Sequence, residues 1–308
     1  TSGYNFKVRG TKIWNGVTSL GGVDTGSNYA GSFSNNSNSG GADTPLTSDT
    51  DISISDTNYT NAFEVGYIAN QASEEKLGMF WNVLQSTASA SNVPNRTESV
   101  GKWSHTTSVL DRINWFNRQT GDFAGGSELV ILGWDPTDNH SENFWEELAS
   151  VKLGSAGDTL DSGTFTAKKY LWFQVYTEGA NTETQFRLNN DSSGSDGSSG
   201  KYASRRNNDG GSDSTFTNQT QSKINSTGGA SHTATFMNGF IINNLANEKL
   251  IITNQVAVEQ TGTGTAPRRS EGVTKWENTS AQVTSIQAFN NSSGDFGTES
   301  FIKVWGHN

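Results

Sequence analysis

Three residues of the types that make a hydrolase triad stand close together at His105, Ser108 and Asp111. In such a triad the hydroxyl attacks, the imidazole takes its proton and the carboxylate orients the imidazole. The other histidines are His140, His232 and His307, so groups that titrate near neutral pH are few. A second chemistry is suggested by the stretch from Asn189 to Asp213, NNDSSGSDGSSGKYASRRNNDGGSD. Its crowded Asp, Asn and Ser oxygens are what a hard cation such as calcium takes several of at once. The spacing departs from a DxDxDG loop, however, and Asx, Ser and Gly are also what turns require without an ion. A glycan hydrolase or lyase would need two carboxylates about 5 to 10 Å apart in a cleft, and no repeated or clustered acid pair stands out. The reading therefore assigns no catalytic, cofactor-binding or metal-binding residues.

An internal repeat decides among these candidates. Shifted by 173 positions, Glu74 to Gly133 falls without a gap on Asn247 to Gly306, and 19 of the 60 aligned positions are identical. EEKL meets NEKL, PNRTESVGKW meets PRRSEGVTKW, and TGDFAGGSELVILG meets SGDFGTESFIKVWG. The match extends back through Phe63, Gly66, Tyr67 and Ile68 to Tyr29-Ala30, which fall on Phe236, Gly239, Phe240, Ile241 and Tyr202-Ala203. A period of domain size means two whole domains rather than a solenoid. At the triad positions the second copy has Asn278, Ala281 and Thr284, so the duplicated fold does not depend on a triad. What does recur is Arg96 with Glu98, Lys102-Trp103 and Gly121-Asp122-Phe123, matched by Arg269, Glu271, Lys275-Trp276 and Phe296. We read these as fold-making anchors: an ion pair on one strand face, a lysine stem along an indole, and a tight turn that inserts an aromatic ring.

Composition narrows the class. Ser, Thr, Asn and Gly are abundant, and 10% of the residues are aromatic, which suits a turn-rich all-β chain with compact cores. The chain has no cysteine, so disulfides and thiolate metal sites are excluded. No apolar run approaches the roughly 18 residues of a membrane-crossing helix, and no signal peptide is expected ahead of Thr1. A net charge of −10 disfavours phosphate-neutralising contact with nucleic acid. The basic pairs Lys168-Lys169, Arg205-Arg206 and Arg268-Arg269 read as solvated faces. Sequons such as Asn58, Asn95, Asn218 and Asn278 arise by chance in so Asn-, Ser- and Thr-rich a chain, and glycosylation is not implied.

Short runs of period two separated by turn residues predict antiparallel strands. They are expected over Tyr4–Trp14 (turning at Asn15-Gly16), Ala62–Ile68, Lys76–Leu84, Leu110–Phe116 and Glu128–Trp134. The copies are Thr235–Ile242, Lys249–Val258, Val283–Phe289 and Ser300–Trp305. Gly163–Ala167 and Lys169–Glu178 read as paired strands, with Thr184–Asn189 after them. The polar tracts Gly21–Thr50 and Asn190–Ser214 read as long loops, both carrying a Gly-Gly-x-Asp ending. Asn139 with Glu142 could cap a short helix over Ser141–Leu148. The expected architecture is two tandem antiparallel β-sandwiches of jelly-roll-like type related by duplication: 1–135, a linker with the short helix at 136–157, and 158–308.

At SGDFGTESFIKVWG, together with EKL, PRRSEGVTKW and FRLNND…GKYASRRNNDGGSDS, the chain resembles a family of virion structural proteins of tailed phages, common in marine viral sequences. The resemblance covers nearly all of the second half and, more weakly, most of the first. It implies a β-sandwich subunit in a capsid accessory or decoration, tail or fibre role, without enzyme activity, located in the virion after assembly in the host cytoplasm. Its partners would be copies of itself and other virion proteins, with contacts from the long loops and the linker around Trp145. The alternative is a carbohydrate-binding module for a host glycan, since nine tryptophans could include an exposed stacking platform. Whether Trp14, Trp81, Trp115, Trp145 and Trp172 are buried or line one groove discriminates the two. A last expectation concerns the first copy, which starts only a few residues before FKVR, the equivalent of FRLN. It thus lacks the counterpart of Asn143–Glu178, so its sheet should present an open edge that an upstream segment or a neighbouring subunit completes.

Overall fold

The computed structural model of the chain describes residues 6–10, 26–36, 44–53, 59–71, 73–107, 109–111, 113–117, 122–133, 143–224, 233–258, 260 and 262–308. All regular structure among them is β and antiparallel, and no helix is long and apolar enough to cross a membrane. Two compact units result: residues 1–86 with 96–141, and residues 87–95 with 142–308.

In the second unit the strands are β9 (Glu146–Lys152), β10 (Thr159–Asp161), β11 (Tyr170–Glu178), β12 (Thr184–Leu188), β13 (Tyr202–Asn208), β14 (Ser214–Gln219), β15 (Ala234–Ile242), β16 (Lys249–Val258), β17 (Arg268–Trp276), β18 (Ile286–Asn290) and β19 (Phe301–His307). Eight of them form one sheet, β14-β13-β17-β16-β15-β11-β19-β9, and three form another, β10-β18-β12. Period-two sequence makes this possible, because alternate side chains leave opposite faces of a pleated strand. Along β11, Leu171, Phe173, Val175 and Thr177 are buried while Tyr170, Trp172, Gln174 and Tyr176 are not. The inward set meets Phe186, Leu188, Ile286 and Ala288 of the smaller sheet in one continuous core.

The first unit has β1 (Phe6–Gly10), β2 (Tyr29–Asn35), β3 (Thr44–Asp49), β4 (Ile52–Ser53), β5 (Asn61–Ala69), β6 (Lys76–Gln85), β7 (Asn95–Trp103) and β8 (Ile113–Asn117). Its sheets are β3-β2-β7-β6-β5 and β4-β1-β8. Strand order and register repeat those of β14-β13-β17-β16-β15. Tyr29 faces Trp103 as Tyr202 faces Trp276, and a bulge falls after Tyr29 as it does after Tyr202. Ser48 and Asn218 on the partner strands are both left-handed, at φ 52° and 49°.

Several expectations fail here. The helix expected over Ser141–Leu148 is absent from its described residues: residues 143–145 are irregular and Glu146 opens β9, which pairs with β19. A free sheet edge offers that backbone a hydrogen-bond ladder, and Leu148, Ala149 and Val151 pack on the core. Residues 146–152 of the segment read as linker are thus a strand of the eight-stranded sheet. Gly163–Ala167 makes no strand, since Gly163 turns the chain at φ +69°. The tracts read as loops contain β2 and β3 in one case and β13 in the other. Their Ser, Asn and Thr side chains hid strands whose backbone pairs with β7 and β17. Glu128–Gly133 is irregular, with Leu129, Val130, Ile131 and Leu132 42–57% exposed. Its counterpart β19 pairs with β11, and the β11 counterpart under the 173-residue shift would lie before residue 6. Correspondingly β5 ends its sheet among the described residues, whereas β15 continues to β11. The Asn15-Gly16 turn, Trp14, His140, His232 and the first Gly-Gly-x-Asp lie outside the described residues.

Unit 1 adapts to this difference. At Gly239 a Cβ would come within 2.3 Å of the Phe173 ring, which arrives from β11. At the matching Gly66 it would meet Phe80 of β6 at 2.5 Å, and Phe80 is buried. The position of Phe80 is occupied by Thr253 in the other unit.

Candidate functional site

The triad types do not form a working set among the described residues. His105 lies flat on Trp103, with centroids 4.9 Å apart, its Nδ1 is 3.4 Å from the Thr107 hydroxyl, and its carbonyl accepts from Lys76. Ser108 is outside the described residues.

The Asp-rich stretch is tied to protein donors. Asp191 accepts Trp276 Nε1 at 2.8 Å and both the amide and hydroxyl of Ser193. Burial pushes the Asp191 carboxyl up, yet these hydrogen bonds outweigh it and hold the group below the usual range. Asp196 accepts the Thr220 amide and hydroxyl, and Asp209 receives Arg268 and the Arg269 amide. Among the described residues no group of three His, Cys, Asp or Glu converges to hold a metal ion.

The repeat anchors occupy matching register positions with unequal surroundings. Trp103 and Trp276 are both buried, against Tyr29 and Tyr202. Arg96 pairs with Glu98, and Arg269 with Glu271 at 3.4 Å. Phe296 is fully buried and bridges to Gly157, whereas Phe123 is 38% exposed. The lysine under the indole is not the neighbour Lys102, because adjacent residues of a strand point to opposite faces. It is Lys76 of EKL, whose Nζ lies 5.9 Å from the Trp103 ring centre and donates to the carbonyls of Glu74 and His105. Lys249 repeats this cap on Asn247 and Asn278, and burial lowers it to about 8 against the opposing pull of Glu248.

Two surfaces stand out once the anchors are placed. On the outer face of the eight-stranded sheet Trp172 stacks on Trp305 at 4.4 Å and on Phe240 at 6.2 Å, with Trp145 5.9 Å from Trp172. Trp172 Nε1 donates to Asn238 Oδ1 at 2.6 Å. Trp81 instead meets Tyr67 edge-on in unit 1, and Trp115 packs against the Tyr29, Ile52, Phe80 and Trp103 cluster. Phe240 is buried while Trp145, Trp172 and Trp305 are half-buried, so part of the stack stays at the surface.

The second surface went unread in the sequence. Segment Thr87–Asn95 is part of unit 2 and is held there chiefly by its backbone. The Ser89 amide donates to Glu248 Oε1 at 2.6 Å, the Ala90 amide to Glu277 at 2.9 Å, and Lys275 Nζ to the Thr87 carbonyl at 2.7 Å. Arg205 Nε reaches the Pro94 carbonyl and the Asn218 amide the Ala90 carbonyl. Glu248 and Lys275 form a buried ion pair at 3.4 Å, and Leu250, Ile252 and Val273 beside them are 1–2% exposed. At the matching positions of unit 1, Glu75 and Lys102 pair at 2.8 Å with 39% and 46% exposed side chains. Leu77, Met79 and Val100 there are 48–57% exposed, and so is Tyr67, the counterpart of Phe240. Identity of EKL and of Val100-x-Lys102 between the copies was the available signal, but recognition by backbone amides leaves no side-chain signature in 87–95.

Compared with known proteins, the chain matches no family model, no curated protein and no solved structure.

Proposed function

We propose that the chain is a non-enzymatic structural subunit that works through protein contacts, built as two copies of one jelly-roll-like sandwich domain. The observation that carries this reading is the outer face of the β2-β7-β6-β5 sheet. Tyr67, Leu77, Met79 and Val100 together present an exposed apolar surface around one ion pair, of the kind that marks contact sites. Covering the exposed half of four such side chains is worth about 3 to 5 kcal/mol before the costs of association. The unextended edge of β5 offers a second route, strand addition by a neighbour. Resemblance of the repeat motifs to virion structural proteins of tailed phages supports reading such a subunit as part of a virus particle, among copies of itself and other virion proteins. Purified protein examined by sedimentation and electron microscopy over a concentration series should form rings, tubes or lattices. A protein that stays monomeric at every concentration, or one that turns over a polysaccharide, would overturn the reading.

A second reading is favoured by the aromatic stack of Trp172, Trp305, Phe240 and Trp145: binding of a host glycan by ring stacking. Trp172→Ala should then abolish retention on a glycan array while leaving the far-ultraviolet dichroism unchanged.

A further inference from the structure

The covered face of unit 2 and the bare face of unit 1 carry the same chemistry. Glu75, Leu77, Val100 and Lys102 are identical to Glu248, Leu250, Val273 and Lys275, and Met79 answers Ile252. Exposure alone separates them, with Leu77 at 57% against 2% for Leu250, and Val100 at 55% against 1% for Val273. On unit 2 the Glu248 carboxylate accepts from, and the Lys275 ammonium donates to, the backbone of Thr87–Asn95, the connection between β6 and β7. The same connection in the second copy, between β16 and β17, spans residues 260–267, and its described residues are exposed except for the half-buried Thr265. It has the geometry needed. Ser89, whose amide meets Glu248, is left-handed at φ 84°, and its counterpart Gly262 is left-handed at φ +91°. Pro94 and Pro267 close both connections.

We propose that chains join head to tail, the 260–267 connection of one copy seating on the Glu75, Leu77, Met79, Val100 and Lys102 face of the next. The Gly262 amide then donates to Glu75 and Lys102 donates to the Gln260 carbonyl, while the apolar side chains are covered. The counterpart of Glu277 is Ser104 and that of Arg205 is Ser32, so this contact has fewer charged holds than the one within the chain, as suits a joint made after folding. Because donor and receiver are different surfaces, the contact is heterologous and gives a ring if its rotation closes and a filament if it does not. The inference deepens the assembly reading and rests on it.

The test is complementation. Met79→Asp with Val100→Asp spoils the receiver at two half-exposed positions. Gly262→Val spoils the donor, because a β-branched residue resists φ +91° and a Cβ there meets nothing within 4 Å. Dichroism confirms that each variant folds, with Glu75→Ala as a milder receiver change. Sedimentation velocity should show each variant weakened in self-association by about tenfold or more, and a one-to-one mixture should restore a discrete dimer through the one intact joint. If Gly262→Val assembles normally while the receiver variant does not, the face pairs symmetrically and the proposal falls. Should all variants assemble like the unmodified chain, the proposal falls and the assembly reading stands. Monomeric behaviour of the unmodified chain at all concentrations sinks both.

Discussion

Replacing Lys249 by Met should change the pH dependence of unit 2 stability in a calculable way. Its ammonium is fully buried and donates to the Asn247 and Asn278 carbonyls at 2.6 and 2.8 Å. Burial brings the group from 10.5 down to about 8, with Glu248 opposing, which corresponds to about 3 kcal/mol of penalty on the charged form at about 1.4 kcal/mol per tenfold. Two charge-assisted hydrogen bonds of about 1.5–3 kcal/mol each offset it. Met keeps the length but leaves both carbonyls unmet, so near pH 7 the variant should be less stable by about 1–3 kcal/mol. Between about 8 and 10.5 the unfolded chain holds a proton that the native lysine has released, so stability from this group rises with pH across that window. The neutral amine still has two N–H groups for the two carbonyls. The unmodified protein should therefore gain about 2 kcal/mol over Lys249→Met between pH 8 and pH 10. Urea titrations followed by tryptophan fluorescence at each pH measure this difference. Parallel pH profiles for the two proteins would refute the reasoning.

The mirror case is Glu64 of β5, whose two carboxylate oxygens are shut off from water and whose pKa burial raises well above 4.5, with Asn82 opposing the rise. The native state keeps this proton longer than the unfolded chain, so the stability it contributes is complete below about 4.5 and is lost as pH rises. Glu64→Gln should flatten that decline and stabilise unit 1 at pH 7, as read by thermal melting from pH 4 to 8. Gly239→Ala forces a methyl to within 2.3 Å of a ring carbon of the buried Phe173 and should cost about 1–3 kcal/mol in denaturant titration.

The uneven legibility of the fold has a physical cause. Strands β11, β15 and β16 could be read because their apolar side chains keep period two. β2 and β13 carry YAGSFSN and YASRRNN, in which the tyrosine (and Phe33 in β2) leads the apolar signal, so their order comes from the neighbouring strand's backbone. The opposite error occurred at 128–133, where ELVILG has every propensity for a strand but the described chain supplies no ladder for it. Propensity proposes a strand, and only a partner makes one. The anchors show a further limit. Identity between the copies pointed to Lys102-Trp103, but alternation hands the indole to Lys76 and leaves Lys102 to Glu75.

Identity between duplicated units marks what both must do, and the obvious inference is that identical residues make the fold. That holds for Trp103 and Trp276, buried alike. It fails for Leu77 and Leu250, or Val100 and Val273, because a residue half exposed in one unit and buried in the other cannot be kept by the packing of its own unit alone. In unit 2 the reason is visible: Thr87–Asn95 docks beside them and takes the charges of Glu248 and Lys275. A leucine and a valine facing water make no contribution to folding that a threonine or lysine would not match. Their presence on unit 1 around an equivalent ion pair is what the proposed joint would explain, in which a connection like Thr87–Asn95 reaches them from another copy of the chain.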